Sequence, residues 1–386
     1  MAKIDELLKE LCPDGVEWKE LVDVVKTISP PIKLKVDSYL RSGLFPIIDQ
    51  SKDQIAGYTD DISNTLPYGQ YILYGDHTLA VKYYEGRFAQ GADGLKILLS
   101  KSSLPKYIYY CICAYNIQNN EYKRHWTQAK QIKLPLPPLP IQQHIVEVLD
   151  TFTDAISNLE EELALREKQF EYYREQLLAF DDESSLGGKL FSGKVEWKEL
   201  QDVSSIVRGA SPRPIKNFLS DKSEGIPWIK IGDADPNDKY IVSTAEFINK
   251  QGASKSRFLK KGSFILSNSM SFGRPYILAI DGCIHDGWIA ISDYERQINA
   301  DYLYYVLKTA NVKKYWSMSA NNGAVSNLNA DIVRGTIIPI PSLCAQQEIV
   351  EILDTFEAMI ANIKEEIALR TKQYEYYREK LLSFGK

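Results

Sequence analysis

The stretch that most constrains this chain is Ile141–Phe180, because the chain contains it twice. With its lead-in the first copy reads PLPPLPIQQHIVEVLDTF…EYYREQLLAF, and the second PIPSLCAQQEIVEILDTF…EYYREKLLSF, every position displaced by 204 residues. Within each copy the apolar residues follow an alternating four-three spacing, the seam of a coiled coil. In the first copy these are Ile145, Leu149, Phe152, Ile156, Leu159, Leu163, Phe170, Tyr173 and Leu177. In the second they are Ile349, Leu353, Phe356, Ile360, Ile363, Ile367, Tyr374, Tyr377 and Leu381. A helix of this length would run about 60 Å at ~1.5 Å per residue. Neither can hide its seam alone, so each is the simplest partner for the other. Arg166 and Arg370 interrupt the two seams at equivalent positions and are expected to meet acceptors across the helix pair and set its register.

The repeat is larger than the helix. VEWKELVDV at Val16–Val24 recurs as VEWKELQDV at Val195–Val203. Between these bookends the halves diverge, yet a frame survives. Gly69–Leu73 (GQYIL) matches Gly262–Leu266 (GSFIL), and Asp93-Gly94 matches Asp286-Gly287, both offset by 193. Tyr107–Tyr110 then matches Tyr302–Tyr305 inside helix-like stretches at about 105–116 and 300–317. The fold class this implies is α+β: two mixed α/β domains separated by an antiparallel coiled coil of two long helices, with an internal pseudo-two-fold repeat. The expected boundaries are a first domain at 1–140, a helix at 141–180, a linker at 181–194, a second domain at 195–344 and a second helix at 345–386.

Composition bears on partners. The net charge of -5 argues against nucleic acid until it is divided along the chain. Residues 30–134 carry 13 Lys and Arg against 9 Asp and Glu, and residues 204–338 carry 17 against 12. The helices are acidic, with 3 against 9 in 141–180 and 5 against 8 in 345–384. Basic domains on acidic helices suit a protein that binds a polyanion with its ends and other proteins with its middle. No stretch of ~18 apolar residues suggests a membrane span, and the N-terminal segment lacks the apolar core of a signal peptide. Five cysteines without framework spacing read as reduced thiols of a cytoplasmic protein.

Catalytic motifs are not found. Gly188–Lys194 resembles a P-loop but is followed by Val195 and lacks a strand ahead of it. Pro13-Asp14 with Glu17-Trp-Lys19 is too tight for a nuclease core, and its repeat has Ser192-Gly193. His77, His125, His144 and His285 form no metal spacing with the cysteines, Cys111-Ile-Cys113 reads as core, and His144 becomes Glu348 in the repeat. No glycine-rich loop for S-adenosylmethionine and no Asn-Pro-Pro-Tyr motif occurs. A non-catalytic chain is expected.

The duplicated order of entry motif, variable domain and long helix resembles the specificity subunit of type I restriction-modification systems. The resemblance rests on QQxIVExLDxF at Gln142–Phe152 and Gln346–Phe356, and on KQxEYYRExLLxF at Lys168–Phe180 and Lys372–Phe384. Residues 75–98 and 256–278 also look like stretches of that family's target recognition domains. The resemblance implies two target recognition domains, each reading one half of a split, asymmetric site in double-stranded DNA. It implies two methylating subunits docked on the helices, which use S-adenosylmethionine to modify adenine. It implies ATP- and magnesium-dependent endonuclease subunits, and no cofactor bound by this chain itself. The DNA contacts expected in the first domain are Tyr74, Asp76, His77, Thr78, Lys82, Arg87, Gln90, Lys123 and Arg124. In the second they are Arg208, Ser211, Arg213, Asn268, Ser269, Ser271, Arg274 and Asn322. Arg, Asn, Gln and His suit base edges, and Lys suits phosphates.

Overall fold

The computed structural model describes the chain except residues 1, 118–120, 122, 181–183, 192, 194, 237, 269–272, 321–326 and 385–386, and the side chains of 2, 3 and 5. It divides into two compact units, residues 1–161 with 364–386 and residues 162–363. Each unit therefore holds one globular domain together with one part of each long helix.

In the first unit the central strand Gly69–Gly75 lies between Leu95–Ser100 and Val81–Gly86, with Val25–Ile28 at the edge of this four-stranded sheet. Successive side chains of a strand point to opposite faces. Ile72 and Tyr74 accordingly enter a core shared with the helices, while Tyr71 and Leu73 enter a second core beneath a three-stranded sheet. Burial on both faces is why this strand reads as a near-continuous apolar run rather than an alternating one. The second unit repeats the scheme. Phe264 and Leu266 face the helix-side core, and Ile265 faces a second core with Trp288 and Ala290. Its two main sheets each have five strands.

The entry motifs become strands. Glu17–Glu20 pairs antiparallel with Lys133–Leu136, and Glu196–Glu199 with Ile337–Ile340. Each bookend thus ties the start of a domain to the strand that leads into its long helix.

The long helices run Leu139–Leu177 and Leu343–Leu382, starting two residues before the expected 141 and 345 and ending before the expected 180 and 386. Pro140 falls in the first turn, where no backbone donor is needed, so the helix can begin ahead of it. Within the first unit, Ile141, Ile145 and Leu149 share a core with Leu381 and Leu382. Phe152 stacks on Tyr377 with ring centroids 5.1 Å apart and planes at 21°. Within the second, Ile349 and Leu353 share a core with Phe170 and Leu177, and Tyr173 stacks on Phe356 at 5.2 Å and 20°. The helix segments pair antiparallel in each unit, and the two stacks are the same pair of positions 204 residues apart.

The acceptors described for Arg166 and Arg370 lie on their own helices and not across the pair. Arg166 bonds to Glu162 and Gln169, and Arg370 to Glu366 and Gln373, all on their own helices. A Glu four residues before an Arg is the favoured intrahelical pair. Both guanidinium groups stay exposed enough for the shorter-range partner to win.

Candidate nucleic-acid interface

The domain-to-helix joint is built from the repeated motifs. Gln142 is buried: its Nε2 donates to Pro137 O at 2.8 Å, and its Oε1 accepts from Leu104 N at 3.0 Å. Gln346 does the same with Pro341 O at 2.9 Å and Asn299 N at 2.8 Å, and also donates to Gln297 O at 2.9 Å. Tyr110 O–H donates to Asp150 at 2.6 Å and Tyr305 O–H to Asp354 at 2.5 Å. These residues of the QQxIVExLD motif and their tyrosine partners lock each domain onto its helix.

In the first domain a polar hub centres on Gln50 and Asp93. Gln50 Oε1 accepts from His77 N at 3.2 Å and lies 3.1 Å from His77 Nδ1, while Gln50 Nε2 donates to Asp93 O at 3.0 Å. Thr78 O–H donates to Gln50 O at 2.5 Å. Lys33 donates to Asp93 Oδ1 at 2.6 Å, and that bond, with the Lys33 charge and weaker help from Arg124 and Lys96, holds the Asp93 carboxyl below its usual range. Gly94 has φ +101°, and a Cβ there would lie 2.4 Å from Gln50 Oε1, so glycine is what lets the loop close on Gln50.

Several expected contacts turn inward. Tyr74 is fully buried with its hydroxyl on Asn116 Oδ1, because the central strand is buried on both faces. Gln90 is buried in a strand pairing, and its side chain donates to Leu95 O at 3.4 Å. The Lys82 ammonium is buried and donates to Asp49 O at 2.9 Å and to Asp53 O. Burial lowers its pKa against the pull of Asp49 and Asp53. Asp76 is buried and accepts from Trp126 N at 2.8 Å, while its carbonyl accepts from His125 N. Asp76 therefore positions the segment that carries Lys123 and Arg124. Both of these are exposed, Lys123 paired with Glu121 at 2.5 Å. Arg87 is half-buried with Nη1 on Thr65 Oγ1 at 3.1 Å. The outward-facing set is His77, Thr78, Arg87, Lys123 and Arg124, joined by Lys33, Gln50 and Asp93.

In the second domain four expected contacts converge on one residue. Arg208 Nε donates to Asp286 O at 3.1 Å and Asn268 Nδ2 to the same carbonyl at 3.3 Å. Ser211 O–H donates to Asp286 Oδ1 at 2.8 Å, and Arg213 Nη2 to Oδ2 at 3.2 Å. His285 Nδ1 accepts from Gly287 N at 2.9 Å, and its Nε2 lies 3.0 Å from Asp286 Oδ1. Burial pushes the Asp286 carboxyl up, but Ser211, His285 and Arg213 together hold it below its usual range. Beside it opens a cleft of about 350 Å³ that Trp228, Lys230 and Glu246 also line. Donors, acceptors and an aromatic edge on one cleft are the groups that read base edges. Arg274 stands apart, exposed, with Nη1 on Pro236 O at 3.1 Å. Ser269, Ser271 and Asn322 lie outside the described residues.

The model of the type I restriction modification DNA specificity domain matches residues 13–166 and again 193–369. The chain is 30% identical to the EcoR124I/EcoR124II specificity subunit of Escherichia coli over all of this chain and 98% of that one. The chain belongs to the type I restriction-modification specificity subunits. A putative specificity subunit of Haemophilus influenzae is also 30% identical, covering 96% of each chain. Among solved structures, the S subunit of a type I restriction-modification system from M. genitalium shares the fold with TM-score 0.60 at 16% identity, covering 95% of this chain and 96% of that one.

The hubs at Asp93 and Asp286 also gather Gln50, Lys33 and His285, and Trp228 and Lys230 line the cleft, none of them among the expected contacts. The recurring Asp-Gly pair at offset 193 was the signal that pointed to the hubs. Among the described residues no three His, Cys, Asp or Glu side chains gather as metal ligands, and no helix is long and apolar enough to cross a membrane.

Proposed function

We propose that each domain reads one half of a bipartite, asymmetric DNA site, and that the paired helices carry two identical methylating subunits that modify adenine within it. The observation that carries this is the contrast inside the repeat. The main joints recur: Gln142 with Gln346 and Asp150 with Asp354 between domain and helix, and the two aromatic stacks between the helices. The polar hubs differ, Gln50 and His77 in one domain against Arg208, Ser211 and Arg213 in the other. Equal frames with unequal readers suit one split site of two unlike halves.

The helices also repeat an outward apolar pair. Leu165 and Tyr172 are 66% and 59% exposed in the second unit, and Leu369 and Tyr376 are 53% and 56% exposed in the first. Seven residues apart, each pair forms one helical face, and duplication suits two copies of one protein. S-adenosylmethionine would be held by those methylating subunits, and ATP and magnesium by endonuclease subunits that join them, in the cytoplasm where the chromosome lies. This chain would supply address, not chemistry.

The test is co-expression with the neighbouring methylating subunit and mapping of methyladenine on the host chromosome. Two short blocks separated by a fixed gap are expected. Asp286→Ala, which removes the carboxylate that holds Ser211, Arg213 and His285 and keeps the carbonyl that holds Arg208 and Asn268, should relax one block and leave the other intact. A competent complex that methylates no split motif would end this reading in favour of a scaffold that never touches DNA.

A further inference from the structure

We propose that a cationic cleft in the second unit, separate from the Asp286 hub, seats a backbone phosphate of the DNA. The cleft holds about 440 Å³ and is lined by Arg274, Tyr304, Lys308 and Lys313; Asp238 is the one carboxylate residue among its described lining, and Glu357 lies near Lys308. Arg274 Nη1 is fixed on Pro236 O, which leaves the rest of its guanidinium fork without a partner among the described residues. Lys308 Nζ donates to Tyr304 O–H at 3.0 Å and lies 4.5 Å from the centre of that ring. Lys313 is exposed on the helix Ala310–Ala320, with no ion pair among the described residues. Three cations turned on one small space make a strong anion site, and Arg and Lys are the usual phosphate ligands.

The ligand follows from what the repeat leaves out. In the shared frame Tyr304 corresponds to Tyr109, but Lys308 corresponds to Cys113 and Arg274 to Val81. The Tyr305–Asp354 joint next to the cleft is repeated, as Tyr110–Asp150. A protein docking alike on both halves would need both sets of cations. An anion met by one domain alone belongs to that domain's own target, and for a domain that reads DNA this is the phosphate chain. The placement agrees. Arg274 immediately precedes the strand Pro275–Leu278, and its carbonyl accepts from the N–H of Ser267, the residue before Asn268, whose side chain is on the Asp286 hub. Gly273 makes the return possible: at φ +69°, a Cβ there would lie 2.5 Å from the Trp316 ring. A phosphate contact fixes register without reading sequence.

This inference rests on the DNA-reading assignment, so its test begins with the intact complex. The complex with its methylating subunits is prepared with Lys313→Gln or Arg274→Gln, both exposed positions, and DNA affinity is measured against KCl concentration. Each variant should make the slope of log K against log[KCl] less negative by about 1, and should weaken binding by the same factor on the methylated motif and on unrelated DNA. Subunit stoichiometry should not change. An unchanged slope overturns the proposal. So does a variant that assembles poorly while whatever assembles binds DNA normally, since the cleft would then hold carboxylates of a partner protein. A wild-type complex that binds no DNA would instead sink the assignment beneath it.

Discussion

Replacing Gln346 by Leu keeps the volume and removes every polar atom of the side chain. Three backbone groups lose their partner at once: Asn299 N–H, Gln297 C=O and Pro341 C=O, at 2.8, 2.9 and 2.9 Å. Gln346 has no solvent exposure, so water cannot step in without opening the joint. A net hydrogen bond is worth roughly 0.5–1.5 kcal/mol and an orphaned buried partner costs roughly 1–3. Three such losses, partly overlapping, come to roughly 3–5 kcal/mol. Gln142→Leu should cost less, roughly 2–3, because its third contact, to Ser103 Oγ, is 3.5 Å long. With two units present, a single unfolding midpoint is a poor measure. Hydrogen exchange of the Asn299 amide is the direct one. At ~1.4 kcal/mol per tenfold, Gln346→Leu should speed it on the order of 10²–10³-fold. Gln142→Leu should do so for the Leu104 amide to a smaller degree. The adjacent Gln143 and Gln347 are exposed, so their Leu variants should stay within about 0.5 kcal/mol. If Gln346→Leu and Gln347→Leu behave alike, the joint is not what this glutamine is for.

Other consequences are checked as simply. A double-mutant cycle on Phe152 and Tyr377, each changed to Ala, should give a coupling of ~0.5–1.5 kcal/mol, and the cycle on Phe356 and Tyr173 should match it. Leu165→Lys should cost the complex one methylating subunit and Leu369→Lys the other, which native mass spectrometry would count; two subunits bound to the double variant would refute the docking face. Lys308 gives a pH signature. Burial lowers its pKa to about 8; nearby Glu357 works the other way, and Arg174, Lys313 and Lys239 add to the lowering. The ammonium is present below pH 8 and lost above it, so DNA affinity should fall between pH 7 and 9, and Lys308→Arg should flatten that fall. Its folded pKa lies below the unfolded 10.5, so this group's contribution to stability increases as pH rises from about 8 towards 10.5, opposite in direction to its effect on binding.

What could be read in advance was whatever the chain says twice. The helix seams were legible because a coiled coil has one period and no alternative use for it, and Phe152, Tyr173, Phe356 and Tyr377 all stood on the predicted seam. The individual DNA contacts were harder, because residue type does not reveal facing. Tyr74, Asp76, Lys82 and Gln90 are polar-capable residues in or beside strands, and all four point inward. For Tyr74 the sign was present: the run from Tyr71 to Tyr74 does not alternate, and a strand without alternation is buried on both faces. For Lys82 no local sign exists. Its ammonium is drawn in by the carbonyls of Asp49 and Asp53, some 30 residues earlier, and only the folded loop brings these into place. The arginines at the seam breaks failed for the converse reason. Arg166 has Glu162 and Gln169 within its own turns, as Arg370 has Glu366 and Gln373, so the local rule outranked the long-range one invoked for it. In the second domain the grouping was the hidden part. Arg208, Ser211, Arg213 and Asn268 were each picked for what their side chains can donate, and what joins them is the acceptor Asp286. An acceptor shared by several donors leaves no periodic trace, but a residue pair kept at a fixed offset while its surroundings change does. Asp93-Gly94 and Asp286-Gly287 were such a pair, and in a duplicated chain the retained residue amid variable neighbours is where the next site should be sought.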